Sequence, residues 1–225
     1  MYIEDKILAQ FYNIISDNKQ EMFDRIASDR TRYVTVLMEH IQKEHNASAV
    51  LRTCDCLGIQ DVHLFEQSRD YEIQREIAKG ASNWLNIYSD NQHASLSERV
   101  SNIKANGYRL IATSPHAKKT IHELELDQPI ALCFGMETKG LSPEFMSYVD
   151  DSINIPMVGF TESLNVSVAT AILLHSLRNR LKSSDIDWKL TDEEQTELKI
   201  NWCSKIVNRG FKVQDEIRNR LLRKE

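Results

Sequence analysis

The sequence predicts an α/β domain with a mostly parallel sheet, and three observations support this fold class. Short β-rich segments alternate with helical segments between residues 31 and 181, an order that produces parallel strands joined by helices. Residues 129–135 are apolar enough to form a buried strand. The helix predicted after Asn165 is apolar on nearly all sides from Val166 to Leu174, so we expect it in the core.

Caps and breaker residues set the limits of the predicted elements. The predicted strands are residues 30–38, 61–65, 84–88, 108–113, 129–135 and 153–157, and the helices between them are residues 46–58, 94–105 and 142–149. Asn46 is expected to cap the first of these helices and Gly58 to end it. Ser142 followed by Pro143 is a typical helix start.

Helical segments are predicted at both ends of the chain. Apolar residues at helical spacing between residues 2 and 28 indicate an amphipathic helix or a helix pair. A polar linker at residues 182–187 precedes Thr191-Asp-Glu-Glu, which begins a helix predicted to run through the basic end of the chain. We therefore divide the chain into a helical N-terminal extension (residues 1–30), the α/β domain (residues 31–181) and a basic, helical C-terminal extension (residues 182–225).

Composition limits the classes of protein to which the chain can belong. Its 225 residues, 41% of them hydrophobic and 27% charged, suffice for one globular domain with extensions or at most two small domains. There is no run of eighteen apolar residues, and the first residues lack the features of a signal peptide. We expect a cytoplasmic protein without a membrane partner. Its four cysteines form no CxxC pair and are expected to be reduced.

The charge balance argues against a protein that coats nucleic acid indiscriminately, because the net charge is −5. Residues 201–225 nevertheless hold seven basic and three acidic side chains. This basic segment is either a solvated helix face or a local nucleic-acid contact.

Several common catalytic and binding motifs are absent. The sequence contains no GxGxxG, GxSxG or HExxH. Residues 135–140 have the glycine spacing of a phosphate-binding loop, but Leu141 and Ser142 follow where the loop requires Lys and Ser or Thr. The histidines have no metal-ligand spacing, and Cys54-x-Cys56 lacks a second pair nearby. No metal is therefore expected.

Polar residues before the apolar helix form the first candidate site. Glu162, Ser163 and Asn165 lie where the N-terminal end of that helix attracts hydrogen-bond acceptors. Ser163 or Asn165 is the predicted N-cap. Ligands of parallel sheets bind beyond the carboxyl ends of the strands. In this sheet the relevant ends are Thr113, Gly135 and Met157.

Three segments carry a resemblance to a known family. They are Asn46-x5-Arg52, Phe134-Gly-Met-Glu-Thr-Lys-Gly-Leu141 and Ile155-Pro-Met-x-Gly-x-x-Glu-Ser-Leu-Asn-Val-Ser167. In this order and spacing they resemble the three motifs of the SpoU (TrmH) family, the SPOUT-class RNA 2′-O-methyltransferases, and in particular its tRNA guanosine 2′-O-methyltransferase branch. The resemblance covers residues 31–181, and the third motif is the most specific.

The resemblance implies a fold, a cofactor and an assembly. The family fold is an α/β domain whose C-terminal part threads into a trefoil knot, a rarity among proteins. S-adenosylmethionine binds bent in the knot, and the enzymes act as homodimers with their sites at the subunit interface. The implied cofactor-contacting positions are Thr113, Gly135, Ile155, Met157 and Leu164.

The resemblance also implies the catalytic positions. Asn46 and Arg52 match the first motif, Glu137 the second, and Ser163 and Asn165 the third. Because a guanidinium stays protonated, we expect Arg52 to grip the phosphate beside the reacting ribose and to stabilise the developing alkoxide, with a phosphate oxygen or water taking the proton. Asn46 is expected to orient Arg52, and Glu137 to bridge subunits. Ser163 and Asn165 are expected to shape the loop and to bond substrate or cofactor.

The expected substrate is tRNA, methylated on the D-loop guanosine at nucleotide 18. The core motifs fit the same chemistry on ribosomal RNA or on the tRNA wobble nucleotide equally well. A knot protein that binds RNA without catalysis is a third reading, against which the intact motif residues argue. The expected RNA contacts are Arg30, Arg32, Arg52, Lys205, Arg209, Arg218 and Arg220.

Overall fold

The structure, a computed structural model, describes residues 2–41, 43–65, 80–89 and 95–223. Contacts divide the chain into two compact units. The α/β unit is Arg32–Trp188, and the helical unit combines Met1–Thr31 with Lys189–Glu225. The two ends of the chain therefore belong to one unit, although most of the sequence separates them.

Eight α-helices occur in the described residues. They are α1 (Ile3–Tyr12), α2 (Asp17–Ala27), α3 (Glu44–Cys56), α4 (Leu96–Ala105), α5 (Pro143–Met146), α6 (Val166–Lys182), α7 (Asp192–Ile206) and α8 (Gly210–Leu222). The first two and the last two belong to the helical unit. The other four, with a 3-10 turn at Ala81–Asn83, belong to the α/β unit.

The described residues form a seven-stranded sheet at the centre of the α/β unit. Its strands are β1 (Val34–Glu39), β2 (Asp61–Phe65), β3 (Asn86–Tyr88), β4 (Arg109–Thr113), β5 (Lys119–Thr120), β6 (Ile130–Phe134) and β7 (Asp151–Asn154). They lie in the order β3-β2-β1-β6-β4-β7-β5, and each neighbouring pair is parallel. The predicted α/β class with a mostly parallel sheet is confirmed.

The central strands are buried on both faces because helices cover the sheet from two sides. Val36 and Met38 of β1 pack in a cluster with residues of α3 and α6, whereas Leu37 between them packs with residues of α4 and α5. This alternation follows from the two-residue period of a strand. Full burial of a leucine such as Leu37 stabilises the fold by about 1.5–3 kcal/mol.

Aromatic side chains fill the interior of the helical unit. Phe11, Phe23 and Trp202 are almost completely buried, and the rings of Phe23 and Trp202 meet edge to face with their centres 5.3 Å apart. The Lys199 ammonium lies 2.7 Å from the Asp24 carboxylate, which joins α7 to α2. A helix pair, α1 and α2, is present where the N-terminal periodicity indicated one.

The first and last predicted strands are shifted. β1 begins at Val34 rather than at residue 30, and Arg30 belongs to the helical unit. β7 spans Asp151–Asn154 rather than residues 153–157, and Pro156 has no N–H with which to extend the ladder. The two-residue edge strand β5 was not predicted, because two residues cannot show a periodic pattern.

Four helices also differ from the prediction, and the shortest is α5, which spans Pro143–Met146 instead of residues 142–149. Asn46 lies in the first turn of α3 rather than at its cap, since Lys43 occupies the N-cap position. The predicted C-terminal helix is divided into α7 and α8 by a turn at Val207–Arg209. α6 exposes Val168 and Ile172, at 46% and 40% of their surfaces, although burial on all sides was expected. A single chain therefore leaves part of α6 uncovered.

The cap of α4 offers a test of how local sequence stabilises the α/β unit. The Ser95 hydroxyl accepts a hydrogen bond from the Glu98 N–H at 3.2 Å, and the Glu98 carboxylate accepts one from the Ser95 N–H at 2.7 Å. We expect Ser95→Ala to lower the free energy of unfolding by about 1 kcal/mol, measured by urea denaturation. Ser97→Ala is the matched control, because Ser97 is exposed in the same helix without capping it. Equal losses in the two variants would contradict the role of the cap.

Candidate functional site

A cavity of about 470 Å³ opens at the carboxyl ends of β6, β4 and β7, which are neighbours in the sheet. Its walls are the segments that follow these strands and the first turns of α6. Glu137, Glu162 and Ser163 belong to this lining. So do all five positions at which the resemblance implies cofactor contacts, namely Thr113, Gly135, Ile155, Met157 and Leu164.

A tight hairpin after β6 forms one wall of the cavity. The Met136 N–H donates to the Gly140 carbonyl at 3.0 Å, and the Gly140 N–H donates to the Met136 carbonyl at 2.8 Å. Gly135 permits this closure, because a Cβ at that position would lie 2.1 Å from the carbonyl carbon of Gly140. Gly140 has a φ of 69°, which glycine adopts without steric cost. The glycine spacing of residues 135–140 therefore serves a hairpin.

Hydrogen bonds link this hairpin to α3 and α6. The Asn46 side-chain amide donates to the Glu137 carboxylate, and the Asn46 side-chain carbonyl accepts from the Asn165 amide at 3.1 Å. The Asn165 side-chain oxygen also accepts from the Ser167 N–H at 2.9 Å, which confirms Asn165 as the N-cap of α6. Three of the five expected catalytic residues thus form one connected network.

The network differs from the contacts expected for these residues. Asn46 is 2% exposed and bonds Glu137 and Asn165 instead of orienting Arg52. Glu137, expected to bridge subunits, has a partner within its own chain. Arg52 is exposed on α3 and does not belong to the cavity lining. Six residues of helix place Arg52 roughly 120° around the α3 axis from Asn46.

Sequence reasoning missed a buried carboxylate beside the hairpin. Glu39, at the end of β1, is 3% exposed and accepts hydrogen bonds from the Ser142 N–H at 2.7 Å and from the Ser142 hydroxyl at 2.6 Å. Ser142 also caps α5 by accepting from the Phe145 N–H. Glu39 thereby fixes the chain directly after the hairpin. The sequence did contain a signal, because an acidic residue ends an otherwise apolar strand. Burying a carboxylate is costly unless it is paired, so such a residue predicts a hydrogen-bond partner nearby.

The two expected RNA contacts near residue 31 are already engaged. Arg30 is 3% exposed, and its guanidinium lies 5.6 Å from the centre of the Trp202 ring inside the helical unit. This burial removes Arg30 from the candidate RNA contacts. Arg32 is half-buried in the α/β unit, and its side chain lies 3.1 Å from the Asp61 carboxylate.

The basic side chains of α7 and α8 are more accessible. Lys205 and Arg209 are exposed near the turn between these helices. Arg218 pairs with Glu4 of α1 at 3.2 Å. Arg220 donates a hydrogen bond to the side chain of Gln10, which also lies in α1. Arg209 is therefore the freer candidate for contact with a polyanion.

The described part of the chain has an inert thiol in the sheet and no metal site. Burial raises the pKa of the Cys133 thiol in β6, so this thiol stays protonated at neutral pH. No group of three or more His, Cys, Asp or Glu side chains among the described residues is arranged to hold a metal ion. Among the same residues, no helix has the length and apolar character that a membrane span requires.

Comparisons with known proteins agree with this geometry. The model of the SpoU rRNA Methylase family matches residues 33–175. The chain is 34% identical over 202 residues to the tRNA (guanosine(18)-2'-O)-methyltransferase of Borreliella burgdorferi, which covers 89% of this chain and 90% of the relative.

Solved structures have the same fold. The crystal structure of the A. aeolicus TrmH/SpoU tRNA modifying enzyme superposes with a TM-score of 0.75 at 26% identity, over 85% of this chain and 98% of the other. The SpoU methyltransferase AviRb from Streptomyces viridochromogenes, in complex with the cofactor AdoMet, is similar in fold, with a TM-score of 0.59 at 24% identity over 72% of this chain and 65% of the other.

The hairpin closure predicts unequal effects of two glycine substitutions. Gly135→Ala forces backbone atoms apart, because the added Cβ meets the Gly140 backbone at 2.1 Å. We expect it to lower the free energy of unfolding by about 1–3 kcal/mol. Gly159→Ala is the matched control, since the nearest atom to its Cβ is the Thr161 nitrogen at 4.0 Å. Chemical denaturation of both variants makes the comparison, and a Gly135→Ala protein as stable as the control would refute the proposed closure.

Proposed function

Because the chain belongs to the SpoU rRNA methylase family, we propose that it transfers a methyl group from S-adenosylmethionine to a ribose 2′-hydroxyl of RNA. The proposed substrate is tRNA and the proposed nucleotide is guanosine 18, which the name of the 34% identical relative specifies. One observation carries the proposal. The five positions expected to contact the cofactor line a single cavity, and the network of Asn46, Glu137 and Asn165 adjoins it.

The cavity suits S-adenosylmethionine in size and in chemistry. Its volume of about 470 Å³ lies within the range of small-molecule sites, about 300–1,000 Å³. Ile155, Met157 and Leu164 offer apolar contacts for an adenine ring, and the Glu137 and Glu162 carboxylates complement a positively charged cofactor. The bound cofactor supplies a methyl group that its sulfonium already activates.

The residues of this chain then have to position the ribose and stabilise charge. Holding the 2′-hydroxyl in line with the methyl group is the main task, because orientation replaces a bimolecular encounter. Arg52 is the proposed phosphate clamp, since a guanidinium stays protonated and bonds phosphate oxygens in pairs. The same charge stabilises the 2′-oxygen as it loses its proton to a phosphate oxygen or water. Ser163 and Asn165 hold the loop against the substrate.

We place the complete site between two copies of the chain. Arg52 does not line the cavity of its own chain, so a second copy is the proposed source of the guanidinium. Leu164, Val168 and Ile172 recur at every fourth residue and share one side of the helix and its cap. Large apolar patches on a protein surface mark interaction sites. The exposed apolar residues of the cavity loop and α6 are Met157, Val158, Phe160, Leu164, Val168 and Ile172.

A trefoil knot is also part of the proposal. β7 lies beyond β4 in the sheet, whereas α6 packs against α3, the helix that follows β1. The segment that joins β7 to α6 therefore runs past the ends of β4 and β6, where its residues line the cavity beside the hairpin. This course supports the threading that the family fold implies.

The length of the match to the tRNA-modifying relative favours tRNA over ribosomal RNA as the substrate. The match to the tRNA (guanosine(18)-2'-O)-methyltransferase covers 89% of the chain, so it extends beyond the catalytic family model into the helical unit. A non-catalytic RNA-binding protein is disfavoured, because Asn46, Glu137 and Asn165 keep a connected network at the cavity. A cytoplasmic location belongs to the same proposal, since tRNA is the proposed substrate.

Methyl transfer from labelled S-adenosylmethionine to an unmodified tRNA transcript tests the function. The label is expected on the 2′-oxygen of guanosine 18, and a transcript with 2′-deoxyguanosine at that position should accept none. Transfer only to ribosomal RNA fragments would keep the chemistry and reject the substrate. Cofactor binding without transfer to any RNA would reject the enzyme.

Arg52 gives a prediction about the reaction step. We expect Arg52→Ala to lower kcat by about 100-fold or more, because one charge-stabilising group at the transition state is lost. Arg52→Lys should recover only part of the rate, since an ammonium cannot form the paired bonds of a guanidinium. The Kd for S-adenosylmethionine, measured by calorimetry, should not change, and Lys118→Ala, which removes an exposed cation elsewhere, should leave kcat intact. An Arg52→Ala enzyme that keeps most of its activity would contradict the proposed role of Arg52 in the reaction step.

The shared site is tested by mixing two inactive variants. If Arg52 serves the cavity of the other copy, mixed dimers of Arg52→Ala and Asn165→Ala contain one complete site. Random pairing then restores about a quarter of wild-type activity, because half of the dimers are mixed and each has one working site of two. Each variant alone should remain inactive. No recovery in co-expressed protein that sediments as a dimer would place Arg52 at its own cavity.

A further inference from the structure

The turn between α7 and α8 presents an unusual combination of exposed side chains. Phe211 is 56% exposed and Ile206 is 39% exposed. Lys205, Arg209 and Lys212 are also exposed. We call these five residues the corner surface. Residues 205–212 hold three basic side chains and no acidic one, and the acidic Asp215 and Glu216 follow one turn later in α8.

The corner is fixed by close packing of its backbone. A Cβ on Gly210 would lie 2.3 Å from the carbonyl oxygen of Ser204 and 2.7 Å from its Cα, so only glycine allows α8 to begin this close to α7. The Ser204 hydroxyl donates to the Gln214 side-chain oxygen at 2.9 Å and ties the two helices together. Phe211 is therefore displayed on a rigid turn.

Arg209 occupies a backbone conformation that does not favour arginine. Its φ is 54° and its ψ is 32°, the left-handed region that glycine and asparagine enter more easily. Holding a larger residue there costs about 1–2 kcal/mol. Among the described residues, none forms a hydrogen bond or an ion pair with the Arg209 or Lys212 side chain, so contacts within the described chain do not offset this strain. Strained backbone positions cluster at functional sites, so we look for the partner of Arg209 in another molecule.

The chemistry of the corner surface distinguishes between partners. Lysine is depleted in the cores of protein–protein interfaces, which argues against a protein that docks on Phe211. Aromatic rings beside cations are the usual means of binding unpaired nucleotides, because bases stack on the ring while phosphates bond the cations. We propose that the corner surface binds the substrate RNA, with one unpaired base stacked on Phe211 and neighbouring phosphates on Arg209 and Lys212. This inference rests on the proposed function for the identity of the RNA.

The stacking contact is tested with unmodified tRNA transcript by fluorescence anisotropy, without turnover. We expect Phe211→Ala to weaken tRNA binding about tenfold, the usual scale for loss of one stacked base. Phe211→Leu keeps an apolar side chain but removes the aromatic face, so its loss should match that of Phe211→Ala, and Phe211→Trp should bind like the wild type. A Phe211→Leu protein that binds tRNA normally would overturn the stacking proposal.

The phosphate contact is tested by Arg209→Asn. Asparagine suits the left-handed conformation, so this variant should be at least as stable as the wild type while it binds tRNA more weakly. The slope of log Kd against log salt concentration should fall by about one. Arg25→Asn, which removes an exposed arginine from α2 of the same unit, is the matched control and should leave the slope unchanged. A destabilised Arg209→Asn protein with wild-type tRNA affinity would make Arg209 structural and overturn its proposed role.

Two further measurements separate this proposal from the proposed function. Binding of S-adenosylmethionine, measured by calorimetry, should be the same in all corner variants. Sedimentation should show the same assembly state as the wild type, and an altered state in Phe211→Ala would assign the surface to a second copy of the chain instead. If the wild-type protein binds tRNA through the corner but transfers no methyl group, the corner surface stands and the proposed function fails.

Discussion

The hydrogen bonds that run from Glu137 through Asn46 to Asn165 are the constraint on which the candidate site depends. Each residue belongs to a different element: the hairpin after β6, the first turn of α3 and the N-cap of α6. Asn46 is buried. Its side-chain NH2 can only donate and its side-chain oxygen can only accept, so the NH2 has to face the Glu137 carboxylate and the oxygen has to face the Asn165 amide. A buried network of this kind is stable in one arrangement, because each alternative leaves a polar group unpaired. The hairpin wall and the start of α6 therefore take their positions from one asparagine.

The parallel sheet makes this convergence possible. β1, β6, β4 and β7 are neighbours, so the segments that follow them begin at one edge of the sheet. The Glu39 carboxylate at the end of β1 strengthens the same edge by bonding the N–H and hydroxyl of Ser142. The hairpin is thus held at its tip by Asn46 and at its exit by Glu39. Rigid support of this type is what a site that works by orientation requires.

The sequence predicted the features that depend on local patterns. It did not predict the features that depend on contacts between distant residues. Alternation of strands and helices was enough to predict the sheet, and the motif resemblance picked out the five positions that line one cavity. The cap at Ser142 was predicted correctly, and Asn165 is one of the two residues predicted as the cap of α6. The partners of Asn46 and Glu39 were not foreseeable, because they lie 91 and 103 residues away. The burial of Arg30 under Trp202 was missed for the same reason, since its charge alone suggested a surface contact.

α6 was predicted to be buried on all sides, but part of it is exposed in the single chain. Its apolar residues extend around the helix, which led to the expectation of complete burial, yet Val168 and Ile172 are exposed in the single chain. Leaving such residues in water forgoes about 25 cal/mol for each Å² of apolar surface, so a second surface that covers them stabilises the assembly. The exposed Phe160 and Val158 beside the cavity loop add to the same surface. Because Arg52 is missing from the cavity of its own chain, the uncovered helix and the incomplete site both support the same proposed homodimer.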